Sequence, residues 1–108
     1  MSVLAINLAP GLICEFAAET TIRSARDITH ALSLIEAEDF HVVIEDARHE
    51  PGAKQDLAQL LAATPPGTII FALVSNLWLP ESEYWRSQGI KLVFDDPSVL
   101  LSQAMASG

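Results

Sequence analysis

Short apolar runs alternate with amphipathic segments along the whole chain. Runs rich in apolar and β-branched residues predict five β-strands: SVLAINL, TTIRSA, HVVIEDA, GTIIFALVS and KLVFDD. The third and fourth runs are almost continuously apolar, which is typical of strands that are covered on both faces of a sheet. The pattern therefore predicts a buried sheet whose two faces are both packed against other elements.

The segments between these strands carry apolar residues at helical spacing. RDITHALSLIEAEDF shows that spacing from Ile28 to Ile35, and a second helix is predicted from about Ala53 to Ala63. LPESEYWRSQG predicts a short helix that ends at Gly89, and Pro97 begins a final one. Strand and helix alternate throughout, so we expect a parallel α/β sheet with right-handed crossovers and helices on both faces.

Length, charge and cysteine content limit the function classes. At 108 residues the chain is long enough for one core, and we expect a single domain over residues 1–108. Fourteen acidic and six basic residues give a formal charge of −8, so we expect no direct nucleic-acid binding. The longest apolar run, Ile69 to Val74, is too short to cross a bilayer and no secretory signal is visible, which predicts a cytoplasmic protein without membrane contact. The single Cys14 excludes an internal disulfide.

Candidate chemistry lies where the predicted strands end. In a parallel α/β sheet, ligands bind at the carboxyl ends of the strands. The residues at these ends are Asn7 and Leu8, Glu45 and Asp46, Ser75 and Asn76, and Asp95 and Asp96. An aspartate in such a place can accept a phosphoryl group, bind a metal or belong to an ordinary turn.

The order and length of these elements resemble the receiver domain of bacterial two-component response regulators. The resemblance covers nearly the whole chain and is best from TTIRSARDITHALSLIEAEDFHVVIEDA onward. It implies a flavodoxin-like (βα)5 three-layer sandwich with strand order 2-1-3-4-5. Only Pro10 to Glu19 are available for the first crossover, so the first helix is expected to be short or irregular. Asp46 matches the phospho-accepting aspartate of the family, and Ser75 matches its hydroxyl residue.

Departures from the family pattern point to a pseudo-receiver. Family receivers have an acidic pair after the first strand, where this chain has Asn7 and Leu8, and a lysine after the fifth, where it has Asp95 and Asp96. Phosphoryl transfer relies on Mg²⁺ and a cation to neutralise charge on the transferring group. We therefore interpret Asp46 and Ser75 as vestigial and expect no catalytic residues, no enzymatic activity, no metal and no cofactor.

Two other functions stay open at the level of the sequence. Asp46 could be a genuine phospho-acceptor, or the chain could be a flavodoxin-like module that binds a small ligand. The sequence has no glycine-rich phosphate loop, which argues against the small-ligand module. The structural alternative for Asp46 is a turn carboxylate that accepts backbone N–H bonds, and for Asp95 and Asp96 a turn or helix cap before Pro97. His41 and His49 have no partner at metal-ligand spacing, so no zinc site is expected.

A cluster of large apolar residues marks a candidate interaction surface. Family receivers dock and dimerise through their fourth helix, fifth strand and fifth helix, and the matching region here contains Trp78, Leu79, Tyr84 and Trp85. The alternative is that Trp85 and Leu79 simply cover the sheet. We predict a protein–protein interaction or dimerisation module in signal transduction or transcription regulation. Its partner would be another protein, a covalently attached output domain or a second copy of the chain.

Overall fold

The strands form one parallel sheet in the order predicted. A computed structural model describes residues 2–8, 11, 21–48 and 52–107. The sheet contains β1 (Ser2–Ile6), β2 (Thr21–Ala25), β3 (Val42–Asp46), β4 (Ile69–Val74) and β5 (Ile90–Phe94). Their order is β2-β1-β3-β4-β5, which confirms the flavodoxin-like topology. Parallel neighbours need a crossover for every connection, so the helices have to pack on the sheet faces.

The described α-helices follow the predicted positions, and a 3₁₀ helix that was not predicted follows β4. They are α1 (Ile28–Ala37), α2 (Ala53–Ala63), a 3₁₀ helix (Asn76–Glu81), α3 (Ser82–Ser87) and α4 (Pro97–Ser107). Asp27 caps α1, because its carboxylate accepts a hydrogen bond from the His30 backbone N–H at 2.8 Å. None of these described helices is long and apolar enough to cross a membrane. The short first helix predicted between Pro10 and Glu19 lies, apart from Gly11, outside the described residues.

Side chains at alternate strand positions pack into two core clusters, one on each face of the sheet. The first cluster lies against α1, α2 and α3 and includes Leu57 and Trp85. The second lies against α4 and includes Phe71 and Leu100. We call them the α1–α3 cluster and the α4 cluster. Together they make the three layers expected for this fold.

The strand register places all the candidate residues at one edge. Ile6 pairs with Glu45, Asp46 with Leu73, and Val74 with Phe94, so the strands end nearly level. Backbone hydrogen bonds extend the ladder by one residue beyond the strands: Asn7 donates to Ala25, Ala47 to Leu73 and Asp95 to Val74, over 3.2, 2.8 and 2.9 Å. The backbone directly after β1, β3 and β5 is therefore held by hydrogen bonds to the neighbouring strand.

Candidate functional site

Glu45 and Asp46 end β3 in different environments. Successive strand residues face opposite sides of a sheet, so the two carboxylates diverge. Glu45 is fully buried, the one such charged side chain among the described residues. The Asp46 side chain is 11% exposed and lies at the edge where the loops meet. Of the two, Asp46 is the carboxylate that chemistry at this edge could use.

Arg48 binds both carboxylate oxygens of Asp46. Its Nε donates to Oδ1 over 3.0 Å, and its Nη2 donates to Oδ2 over 2.9 Å. The backbone N–H of Arg48 also donates to Oδ1, over 3.2 Å. This is the two-pronged geometry that makes arginine–carboxylate pairs strong and specific. The strand pattern predicted where Asp46 lies but not this bond, which joins two residues that are two positions apart.

The environment keeps Arg48 charged. The hydrogen bond to Asp46 is the largest effect that raises the pKa of Arg48 above its ordinary value, and the charges of Asp46 and Asp95 act in the same direction. Partial burial opposes them by favouring the neutral form. Because the pKa is raised above the already high value of an arginine, the guanidinium is charged at neutral pH. A permanent cation therefore lies on the carboxylate that matches the phospho-acceptor.

The end of β1 offers little for a metal ion. Asn7 has a left-handed backbone with φ of 58°, a conformation that asparagine tolerates better than most residues. Leu8 is buried and packs into the α4 cluster. Within the described ranges, no group of three or more His, Cys, Asp and Glu residues could hold a metal ion. At the two positions of the family's acidic pair, the chain thus supplies one amide and one buried hydrocarbon.

Ser75 and the aspartates after β5 serve the local backbone. The carbonyl of Ser75 accepts the Trp78 N–H over 3.0 Å and so begins the 3₁₀ helix, while its hydroxyl makes no capping bond. Asp95 has φ of 54°, in the left-handed region. The carboxylate of Asp96 accepts the Ser98 N–H over 2.9 Å at the start of α4. This bond confirms the turn-or-cap interpretation for Asp96.

A second ion pair joins α2 to the 3₁₀ helix. The Lys54 ammonium group pairs with Glu81 and lies 5.3 Å from the centre of the Trp78 ring. An ammonium at this distance from an indole is attracted to the ring face. Lys54 is therefore engaged with neighbouring side chains in the same way as Arg48. Nothing in the sequence pattern indicated this contact, which joins residues far apart in the chain.

The structure corrects part of the predicted interaction surface. Trp78 and Trp85 are only 6% and 5% exposed and belong to the α1–α3 cluster, so they are core residues and not exposed anchors. Leu79 and Tyr84 are exposed, as a surface role requires. Leu77, which the sequence analysis did not select, is the most exposed large apolar side chain among the described residues. Whether this region binds a partner stays a prediction.

Comparisons with known proteins support the fold. No protein-family model and no curated protein matches the chain. The crystal structure of adenylate cyclase from Rhodopirellula baltica is similar, with a TM-score of 0.83 and 15% identity over 98% of this chain and 85% of that one. The Vibrio cholerae chemotaxis protein CheY4 is similar with a TM-score of 0.74 and 17% identity, over 99% and 98% of the two chains. At these identities the likeness is one of fold: the chain shares the flavodoxin-like fold of these two structures.

Proposed function

We propose that this chain is a pseudo-receiver: a receiver-like domain that is not phosphorylated and acts as a protein–protein interaction or dimerisation module in bacterial signal transduction or transcription regulation. The observation that carries the proposal is the bond between Arg48 and Asp46. Both oxygens of the carboxylate that matches the phospho-acceptor already bind a guanidinium. The fold supports a signalling role, since a chemotaxis protein shares it.

Occupied oxygens make Asp46 a poor nucleophile. To accept a phosphoryl group, one carboxylate oxygen must approach phosphorus in line with the leaving group. Here Arg48 already donates three hydrogen bonds to these two oxygens. An approaching phosphoryl group would compete with them in a partly buried place, where charge-assisted bonds are costly to lose. The guanidinium stabilises the unmodified carboxylate, and this stabilisation raises the barrier to attack.

The neighbouring residues do not replace the missing chemistry. A hard cation such as Mg²⁺ requires several oxygen ligands, and buried Leu8 provides none. The charge of Asp95 acts at Arg48, so the region after β5 supplies a negative charge where family receivers have a lysine. An incoming phosphoryl group would meet repulsion there instead of attraction.

A domain without a phosphorylation switch acts through a fixed surface. The Arg48 pair fixes the two residues that follow Asp46 to its carboxylate, and the Lys54 pair joins α2 to the 3₁₀ helix after β4. Regulation would then come from the concentration of a partner or from an attached domain. The exposed Leu77, Leu79 and Tyr84 are the large apolar side chains that this region offers to a partner.

Intact-protein mass spectrometry after incubation with acetyl phosphate and Mg²⁺ tests the proposal. The wild-type chain should show no added phosphoryl group, under conditions in which a phospho-accepting receiver is fully modified. The Asp46→Ala variant serves as the matched control. Gain of one phosphoryl group by the wild type, absent in Asp46→Ala, would overturn the pseudo-receiver function and establish Asp46 as an acceptor.

A further inference from the structure

The basic residues of this acidic protein divide into two groups. The chain has six of them. Four form ion pairs: Arg23 with Glu38, Arg26 with Asp27, Arg48 with Asp46 and Lys54 with Glu81. Within the described ranges, Arg86 and Lys91 form none. Two cations without ion pairs are unexpected in a chain that has fourteen acidic residues. Arg86 and Lys91 line the same groove.

Both cations line one groove along the outer edge of the sheet. The groove has a volume of about 430 Å³ and is lined by Arg86, Gly89, Ile90, Lys91, Leu92 and Gln103. We call it the β5 groove. Strand β5 is the last in the sheet order, so within the described residues no strand pairs with its outer side. An open strand edge is a template for another extended segment.

The backbone of β5 presents hydrogen-bonding groups to this groove. The N–H of Asp95 points toward β4 and donates to the Val74 carbonyl. Because strand residues alternate in direction, the N–H and C=O groups of Leu92 point the opposite way, to the outer edge. The Leu92 side chain itself is buried in the α1–α3 cluster. At Leu92, therefore, the backbone N–H and C=O groups, and not the side chain, are available to a strand that binds beside β5.

The two cations flank the strand from opposite faces of the sheet. Arg86 comes from α3, which packs on the α1–α3 cluster. Lys91 pairs with Phe71 in the sheet and lies 6.0 Å from the centre of that ring, which belongs to the α4 cluster. An added strand would therefore have one cation on each side of its plane. Successive side chains of a strand point to opposite faces of a sheet. Two adjacent acidic residues in the added strand would therefore reach both Arg86 and Lys91.

We propose that the β5 groove binds an extended acidic segment of a partner protein, which adds to the sheet beside β5 and places two consecutive carboxylates against Arg86 and Lys91. The inference rests on the proposed interaction function and specifies its partner. Charge complementarity selects this occupant, because the β5 groove is lined by two cations that have no ion pair among the described residues of a chain with net charge −8. A second copy fits less well. Two-fold pairing of β5 with β5 would bring two Arg86 and two Lys91 side chains into one interface.

Peptide binding to the full chain tests the proposal. Two pools of fluorescein-labelled peptides share randomised flanks of valine, isoleucine and threonine and differ only in a central Glu-Glu or Gln-Gln pair. Fluorescence anisotropy should show saturable binding of the Glu-Glu pool, about tenfold tighter than the Gln-Gln pool and weakened by salt. Arg86→Gln and Lys91→Gln should each weaken it by about threefold. Hydrogen exchange should show new protection of the Leu92 amide.

The matched control is Arg26→Gln, which removes the same charge from a side chain that is 86% exposed and lies after β2, at the other edge of the sheet. It should leave binding unchanged. Equal affinity for the two pools, an equal loss in Arg26→Gln, or an unprotected Leu92 amide would overturn the proposal. So would a dimer in sedimentation that Arg86→Gln and Lys91→Gln together abolish, because the occupant would then be a second copy. These results are independent of the acetyl phosphate experiment, so the groove and the pseudo-receiver function can fail separately.

Discussion

At the carboxyl end of β3, Arg48 is bound to Asp46, and Lys54 nearby is bound to Glu81. At the outer edge of β5, Arg86 and Lys91 line a groove with no ion pair to any described residue. Ligands of a parallel α/β sheet bind at the first region, yet both of these cations are already paired within the chain. The difference between the two regions is whether the cations have ion-pair partners among the described residues, and our two proposals rest on it.

The largest effect is expected at the helix that connects the two regions. Helix α3 carries Trp85 into the core and Arg86 to the groove. Replacing the buried Trp85 with alanine should lower the free energy of unfolding by about 3–5 kcal/mol, through lost burial and the cavity left behind. Urea denaturation followed by circular dichroism measures this.

Its matched control is Tyr84→Ala at the adjacent, exposed position. The Tyr84 ring lies edge-on to Trp85, with ring centres 5.1 Å apart, so a loss of about 1 kcal/mol or less is expected. Similar losses for the two variants would mean that the division of α3 into a core side and a surface side is wrong.

A smaller effect should distinguish Arg48 from the groove cations. Arg48→Ala leaves the largely buried Asp46 carboxylate without its guanidinium, which should cost about 2 kcal/mol of unfolding free energy. Adding Asp46→Ala should recover part of that loss. A double-mutant cycle with both single variants should therefore give a coupling energy of about 1–2 kcal/mol. A coupling near zero would show that the pair does not hold this edge together.

The smallest effect is expected at the open edge. Arg86→Ala and Lys91→Ala remove exposed cations that have no ion pair among the described residues, so unfolding free energy should change by about 0.5 kcal/mol or less. Thermal and urea denaturation of both variants measure the change. A loss as large as that of Arg48→Ala would place these cations among the structural residues and remove the contrast between the two regions.

Sequence patterns predicted the elements and the edge of the sheet, and the family resemblance supplied the strand order. Apolar runs with β-branched residues predicted the strands, the periodicity between them predicted α1 and α2, and their alternation predicted a parallel sheet. The order β2-β1-β3-β4-β5 was expected from the resemblance to receiver domains. Because the carboxyl ends of parallel strands meet, the position of Asp46 followed as well.

The pairing of side chains could not be predicted in the same way. Lys54 meets Glu81 only because α2 and the 3₁₀ helix pack side by side, and Arg48 reaches Asp46 through the conformation of a turn. The sequence spacing could have indicated that the two tryptophans are buried together. Trp78 and Trp85 are seven positions apart, a spacing that returns to the same side of a helix. The change from 3₁₀ to α-helix between them weakens that rule.

Side-chain NMR of ¹⁵N-labelled protein measures the bond between Arg48 and Asp46. We predict a resolved Arg48 Nε–H signal that exchanges slowly with water, disappears in Arg48→Gln and moves toward the position of an exposed arginine in Asp46→Asn. The Arg26 side chain is 86% exposed and has only a 3.9 Å contact with Asp27, so its signal provides the internal reference for a solvent-exposed arginine. If the Arg48 signal in the wild type exchanges as fast as that of Arg26 and does not respond to Asp46→Asn, the carboxylate is not held by the guanidinium, and the account of this edge is contradicted.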